Sequence, residues 1–221
     1  MNLLYTAHVP RGDGPFPAVF AFHGWGASAH DLLGLAPLLL GGQALVVCPQ
    51  GPVEVPIAPG LRGYGWFPIS GGGPLDTTAF AHAARELGAF VDQAVRAFPV
   101  DRRKTVLLGF SQGGVLAYDL ALREPGRWAG LAALSSWLPP ALARGVPKLE
   151  EHAGFPVFVC HGTEDPMIEV ARARESREAL LAYGVGLTYR EYAMGHEIRP
   201  ETLRDLVDWL QSKVVSPIQL L

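Results

Sequence analysis

Two apolar patterns alternate along the chain. Short, nearly continuous apolar runs occur at 3–9 (LLYTAHV), 17–23 (PAVFAFH), 44–49 (ALVVCP), 104–110 (KTVLLGF), 130–136 (GLAALSS), 156–161 (PVFVCH) and 186–192 (GLTYREY). A strand with one wet face alternates apolar and polar residues. A strand covered on both faces is apolar throughout, as in parallel sheets. The runs therefore predict buried strands. Between them the apolar residues recur at helical spacing. Residues 76–98 set Phe80, Ala84, Leu87, Val91 and Val95 three or four apart, behind Asp76 as N-cap. Residues 112–123 place Val115, Tyr118 or Asp119, and Leu122 at similar steps, until Pro125 and Gly126 stop the helix. Residues 168–184 are amphipathic and end at Gly184, a residue suited to a left-handed helix terminus. Residues 199–214 carry Pro200 in the first turn and Leu203, Leu206, Val207 and Leu210 on one face.

Strand–helix alternation over the whole chain predicts an α/β fold, with a mostly parallel central sheet and helices on both faces. Residues 50–75 fit neither pattern. They are rich in Gly and Pro and predict a loop, and a loop that long in a compact domain is usually functional. No repeat or linker interrupts the chain, so its 221 residues read as a single domain, 1–221.

Composition removes several function classes. The net charge is -3, with acids and bases interspersed, and no basic stripe suggests nucleic acid or an anionic membrane. No apolar run approaches the roughly 18 residues of a membrane span. The N-terminus lacks a basic segment followed by a long apolar one. The expectation is a soluble, cytoplasmic protein without stable membrane insertion. Cys48 and Cys160 lie inside apolar runs and read as buried free thiols. No Cys/His spacing suggests zinc, and no metal or cofactor is called for. The apolar tail VVSPIQLL reads as packing on its own domain or on a partner. The oligomeric state stays open, a homodimer included.

The candidate chemistry centres on GFSQG at 109–113. That spacing alone is weak in a glycine-rich chain, and it gains meaning between a buried strand and a helix. KTVLLGF precedes Ser111 and QGGVLAYDLALRE follows it. A strained strand-to-helix turn would project the serine hydroxyl above the sheet edge. Gly109 and Gly113 would avoid Cβ collisions there, and Gly114 would let the helix approach a neighbouring strand. The helix N-terminus would favour developing negative charge. On the motif alone a helix-capping serine fits as well as a nucleophile.

A serine nucleophile needs a base in hydrogen-bond reach, and the base needs an orienting acid. In the order Ser, acid, His, three histidines follow Ser111: His152, His161 and His196. His196, in YAMGHEIRPETL, lies on a loop that should emerge at the same sheet edge. His161, in FVCHGTEDP, sits at a strand end and reads as holding the loop. His152, in LEEHAGFP, reads as surface. Asp165, before Pro166, is better fixed than its neighbour Glu164 and would hold His196 in the tautomer that takes the Ser111 proton. HGWG (23–26) follows an early strand. One backbone N–H from this turn, Trp25, and one from Gln112 are the expected oxyanion donors.

HGWG, GFSQGG, HGTEDPMI and the late GH, in that order, resemble the phospholipase/carboxylesterase group of small α/β-hydrolases, which includes acyl-protein thioesterases. GYGWFPI (63–69) and LSSWLP (135–140) are similar to segments of that group, the latter to one bordering its acyl pocket. The resemblance spans about 17–212. It implies an α/β-hydrolase fold without a large cap domain, and Ser111, Asp165 and His196 as the catalytic triad. Ala27 stands where acyl-protein thioesterases often carry an acid. Dienelactone hydrolases look similar but use cysteine, against which Ser111 argues.

Trp25, Trp66, Phe67, Trp137, Leu138, Met167, Ile168 and Met194 are apolar candidates for the pocket lining. Trp66, Phe67, Trp137, Leu138 and Met167 are the residues expected to bind substrate, with Arg62 a surface residue near an anionic group at most. The expected activity is hydrolysis of small-molecule short- to medium-chain carboxylic esters through an acyl-enzyme. An acyl (protein) thioesterase or lysophospholipase is the alternative, and a non-catalytic binding module on a hydrolase fold is a more remote one.

Overall fold

The computed structural model describes residues 1–69 and 75–216. Its strands are β1 (Tyr5–His8), β2 (Phe16–Phe22), β3 (Leu45–Pro49), β4 (Val53–Ala58), β5 (Leu61–Gly65), β6 (Val100–Phe110), β7 (Gly130–Leu134), β8 (Pro156–Gly162) and β9 (Gly186–Tyr192). Its α-helices are α1 (Thr77–Ala97), α2 (Gln112–Arg123), α3 (Pro140–Gly145), α4 (Val170–Tyr183) and α5 (Pro200–Trp209). The main sheet runs β1-β3-β2-β6-β7-β8-β9. β1 pairs antiparallel with β3, and every other pairing in this sheet is parallel.

The continuous apolar runs are explained by two cores, one on each face. Phe20 and Phe22 of β2, Leu107 of β6, and Val157 and Val159 of β8 point to one face. There they meet Leu87, Phe90 and Val91 of α1, Val115, Leu116 and Leu122 of α2, and Leu180 of α4. Val19 and Ala21, Val106 and Leu108, and Phe158 and Cys160 point to the other face. Leu206 and Trp209 of α5 cover that face, with Leu32, Ala36 and Leu39. Both alternating residue sets of the inner strands β2, β3, β7 and β8 and of the second half of β6 are thus buried, whereas the edge strands β1 and β9, expected to be buried like the rest, are only partly so.

The helix boundaries have local causes. The Asp76 carboxylate accepts the Thr78 and Ala79 N–H groups at 3.0 Å, capping α1. Gly184 ends α4 with φ 85°. α5 continues into a wider π-type turn, Leu210–Val215.

Two expectations are corrected, and one short helix was not foreseen. Within the 50–75 segment, β4 and β5 form an antiparallel hairpin rather than a loop; residues 70–74 of that segment lie outside the described residues, as does the tail from 217. α3 carries no apolar periodicity long enough to reveal it. His152 is fully buried rather than on the surface. Its Nδ1 accepts the Leu149 N–H at 2.9 Å, and its Nε2 bonds the Leu122 carbonyl at 2.8 Å. The charged neighbours Glu150 and Glu151 hide this inward turn from a sequence reading.

Parallel strands put their carboxyl ends along one edge, where ligands bind in open α/β sheets. The ends of β2, β6 and β8 and the β9–α5 connection deliver HGWG, Ser111, Asp165 and His196 to that edge. Among the described residues, no helix is long and apolar enough to cross a membrane.

Candidate functional site

Ser111 sits between β6 and α2 with φ 52° and ψ −119°, a conformation L-residues rarely adopt. Its side chain makes no capping bond to the helix. The backbone holds the turn instead: Ser111 N–H donates to Leu134 O at 3.0 Å, and Ser111 O accepts Gly114 N–H at 3.0 Å and Ser136 Oγ–H at 2.7 Å. The glycines are required by close approach. A Cβ on Gly109 would strike the Gly113 carbonyl, and one on Gly113 would strike the Phe22 carbonyl. Helix α2 therefore lies directly against the end of β2.

Asp165 and His196 meet across 31 residues of sequence, with Nδ1–Oδ2 at 2.7 Å. The other carboxylate oxygen accepts the Met167 and Ile168 N–H groups at 2.8 and 2.9 Å. Burial alone would raise the Asp165 pKa. The hydrogen bonds from His196 and the two backbone N–H groups outweigh it and hold the carboxyl below its ordinary value. Glu164 is exposed and makes no such contact. The two loops are stitched together by Thr163 N–H to Tyr192 O at 2.8 Å and Glu164 N–H to Met194 O at 3.1 Å. The His196 ring lies on the ring of Phe110, the residue before Ser111, with centroids 4.9 Å apart. His161 is fully buried beneath this loop, its Nε2 2.8 Å from Ile168 O and 3.4 Å from Asp165 Oδ2.

The HGWG turn lies against the elbow. A Cβ on Gly24 would come within 3.1 Å of the Ser111 Cβ. The turn is tied to the hairpin by Gly26 N–H to Tyr64 O at 2.8 Å and Tyr64 N–H to Ala27 O at 2.7 Å. The sequence reading missed a bracket here: the Gln112 side chain accepts Trp66 N–H at 2.8 Å and donates to Phe67 O at 2.7 Å. Gln112 thus locks the segment after β5 to the first residue of α2.

A serine on a strained elbow, a histidine oriented by a buried carboxylate and a glycine turn beside them form an arrangement suited to acyl transfer. The family model described as Phospholipase/Carboxylesterase matches residues 9–214. The chain belongs to the phospholipase/carboxylesterase family. Members of this family are serine hydrolases, and the protein is a hydrolase of esterase or thioesterase type. It is similar to acyl-protein thioesterase 1 of Cryptococcus neoformans, 30% identical over 215 residues, covering 87% of this chain and 90% of the relative. It is 29% identical to acyl-protein thioesterase 1 of Gibberella zeae, covering 87% and 85%. Its fold is that of the Bacillus cereus carboxylesterase, with a TM-score of 0.80 at 24% identity over 95% of this chain and 94% of that one. It is also that of esterase PE8, with a TM-score of 0.82 at 22% identity over 96% and 99%.

Within this phospholipase/carboxylesterase frame the pocket candidates divide. Trp66 and Phe67 are buried in the core rather than open to a ligand. The Trp66 indole N–H donates to His23 O at 2.8 Å, and Phe67 stacks edge-on against Phe80 at 5.4 Å. Leu138, Ile168 and Met194 are also buried. Trp137 is part-buried beneath the Arg172 guanidinium. Trp25 and Met167 are exposed, at 36% and 74%. Arg62 is exposed and pairs with Glu54 across the hairpin. Apolar character predicts both core and pocket, so the sequence could not separate these residues. Among the described residues, no group of three His, Cys, Asp or Glu is placed to hold a metal ion.

Proposed function

We propose that the protein is a serine carboxylesterase acting on short- to medium-chain esters. The observation that carries this reading is Ser111 at positive φ with a hydroxyl uncommitted to the helix, directly after Phe110, whose ring meets a histidine bonded to a buried aspartate. His196 takes the Ser111 proton as Oγ attacks the ester carbonyl. Asp165 holds His196 through Nδ1–H, leaving Nε2 free to act as base, and stabilises the imidazolium that forms. The Trp25 and Gln112 N–H groups bind the oxyanion. His196 then protonates the departing alcohol. Water, deprotonated by His196, attacks the acyl-enzyme, and the acid leaves as Ser111 regains its proton.

The size preference is supported by the burial of Trp66, Phe67 and Leu138. With those three in the core, the exposed Trp25 and Met167 and the part-buried Trp137 are the apolar candidates left to meet an acyl chain, which suits a short one. A thioesterase reading is favoured by the names of the two relatives and weakened by Ala27 in place of an acid. The free thiols Cys48 and Cys160 suit a reducing compartment and support a cytoplasmic location. Both are buried, and burial pushes the Cys48 thiol up to about 12, so neither competes as nucleophile.

The test is kcat/KM across p-nitrophenyl esters of increasing chain length, against acyl thioesters of the same chains, with Ser111→Ala alongside. A maximum at short to medium oxygen esters and a loss of several powers of ten in Ser111→Ala are expected. Faster turnover of long-chain thioesters would overturn the substrate class. Parental activity in Ser111→Ala would overturn the mechanism.

A further inference from the structure

We propose that His23 is a positioning residue: it fixes the Gly24–Trp25 peptide so that the Trp25 N–H faces the oxyanion. This rests on the oxyanion role proposed above for Trp25. His23 is 1% exposed, and both ring nitrogens are engaged. Gly51 N–H reaches Nε2 at 3.0 Å. A backbone N–H can only donate, so Nε2 is the acceptor and the ring proton sits on Nδ1. Nδ1–H then donates to Gly24 O at 2.8 Å. The Gly51 contact thus selects the tautomer that grips the Gly24 carbonyl.

The carbonyl of Gly24 and the N–H of Trp25 belong to one planar trans peptide and point in opposite directions. Holding one aims the other. The grip matters because Gly24 has no Cβ to resist rotation of that peptide. A flipped peptide would turn a carbonyl, not an N–H, toward the developing negative charge. Ala27 N–H is a second donor to Gly24 O, longer at 3.3 Å. Among the described residues the Trp25 N–H has no acceptor, so it is free for a ligand oxygen. The His23 ring is itself fixed. It faces the Trp66 indole with centroids 5.0 Å apart, and that indole's N–H holds the His23 carbonyl at 2.8 Å. Burial lowers the His23 pKa more than the Gly24 bond and Asp31 raise it, which keeps the ring in the neutral form this arrangement needs.

Two substitutions separate the two bonds. Asn places an amide donor near Nδ1, keeping the grip on Gly24 O and losing the acceptor for Gly51. Gln places its amide near Nε2, keeping Gly51 and losing Gly24. Each loses one buried hydrogen bond, so a purely structural role would affect both alike. The experiment measures kcat and KM on p-nitrophenyl butyrate, the melting temperature, and the inhibition constant of a trifluoromethyl ketone, which forms the tetrahedral oxyanion on Ser111. His23→Gln is expected to lose roughly 10- to 100-fold in kcat, with KM little changed and inhibitor affinity falling in parallel. His23→Asn is expected to recover most of kcat at a similar melting temperature. Equal kcat in the two variants, or a larger loss in His23→Asn, would overturn the proposal. Ser111→Ala, run alongside, keeps the two failures apart. Parental activity there defeats the nucleophile assignment itself, whereas an inactive Ser111→Ala with an unimpaired His23→Gln defeats only the grip.

Discussion

The side-chain amide of Gln112 takes the place of a sheet partner for Trp66. Its Oε1 accepts the Trp66 N–H at 2.8 Å, while its Nε2 donates to the next carbonyl, Phe67, at 2.7 Å. The residue whose backbone N–H is proposed to bind the oxyanion therefore also ties down the segment behind the HGWG turn. Trp66 in turn holds His23.

Gln112→Ala keeps the backbone N–H and removes the bracket. It leaves a buried N–H and a buried carbonyl unpaired, at a cost of about 1–3 kcal/mol for each group left unsatisfied. The expected outcome is a lowered melting temperature together with a kcat loss of roughly tenfold or more, since small misplacements of oxyanion donors are costly. Gln112→Glu should be worse at neutral pH, because a carboxylate oxygen would then face the Phe67 carbonyl. Thermal unfolding and steady-state kinetics at pH 7 check both; a Gln112→Glu protein as stable as the parent would contradict the bracket.

Asp165→Asn should separate catalysis from acid stability. With Nδ2 in place of a carboxylate oxygen, the wrong His196 tautomer is favoured, and kcat should fall by roughly 10³–10⁴-fold. The same variant tests the lowered Asp165 pKa. A carboxyl held below its ordinary value binds its proton later in the folded chain than in the unfolded one as pH falls. Its stabilisation is complete above the ordinary carboxylate pKa of about 4 and is lost as pH drops through the folded value. Urea unfolding from pH 7 down to pH 3 should therefore show a shallower loss of stability in Asp165→Asn than in the parent. A parallel decline in the two would show that the folded carboxyl is not depressed.

Most of this sheet was legible in the sequence because each inner strand is buried on both faces. Phe20 and Val19, or Val159 and Phe158, serve opposite cores, so no polar residue interrupts the run. The convergence of Ser111, Asp165 and His196 on one sheet edge was legible because their order and their strand-end positions constrain one another. The β4–β5 hairpin was not legible, and its glycines show why. A Cβ on Gly63 would strike the Gly26 carbonyl, and one on Gly65 would strike the Trp25 indole. Glycine there serves close tertiary approach, which in sequence looks the same as loop punctuation. The grips made by His23 and Gln112 were hidden for a related reason: both end on backbone carbonyls and N–H groups, which residues of almost every type carry.

The hairpin contact can be tested through those glycines. At Gly63 the obstacle is backbone, so Gly63→Ala must push the Gly26 carbonyl and with it the HGWG turn. A displacement of about 1 Å at the reacting groups is enough for a loss of roughly 100-fold. Gly63→Ala is thus expected to reduce kcat severely and lower the melting temperature. At Gly65 the obstacle is the part-exposed Trp25 ring, which can swing, so Gly65→Ala should cost less stability. Gly34→Ala, which meets nothing within 4 Å, is the control and should match the parent in both measurements. Equal kcat in Gly63→Ala and Gly34→Ala would remove the hairpin from the account of the site.

Glu191 provides a second acid-sensitive group whose removal should leave chemistry alone. Arg174 approaches it with two N–H groups, at 2.8 and 2.7 Å, and Tyr189 OH donates at 2.9 Å. The bond from Arg174 is the largest cause holding the Glu191 pKa at about 2. The sign is that of Asp165: the stabilisation is full above the ordinary glutamate value and disappears as pH falls toward about 2. The pair lies on β9 and α4, and Arg174 is largely exposed, so salt should screen it. Glu191→Gln is expected to flatten the acid limb of the stability curve at low ionic strength, to do so less in 1 M salt, and to leave kcat/KM within about twofold of the parent. Since Asp165→Asn should flatten the same limb while abolishing turnover, the double variant distinguishes two independent carboxyls from one. Additive changes in the pH slope are expected, because Glu191 and Asp165 share no hydrogen-bond partner. A slope in the double variant no shallower than in Asp165→Asn alone would place the whole acid response on Asp165.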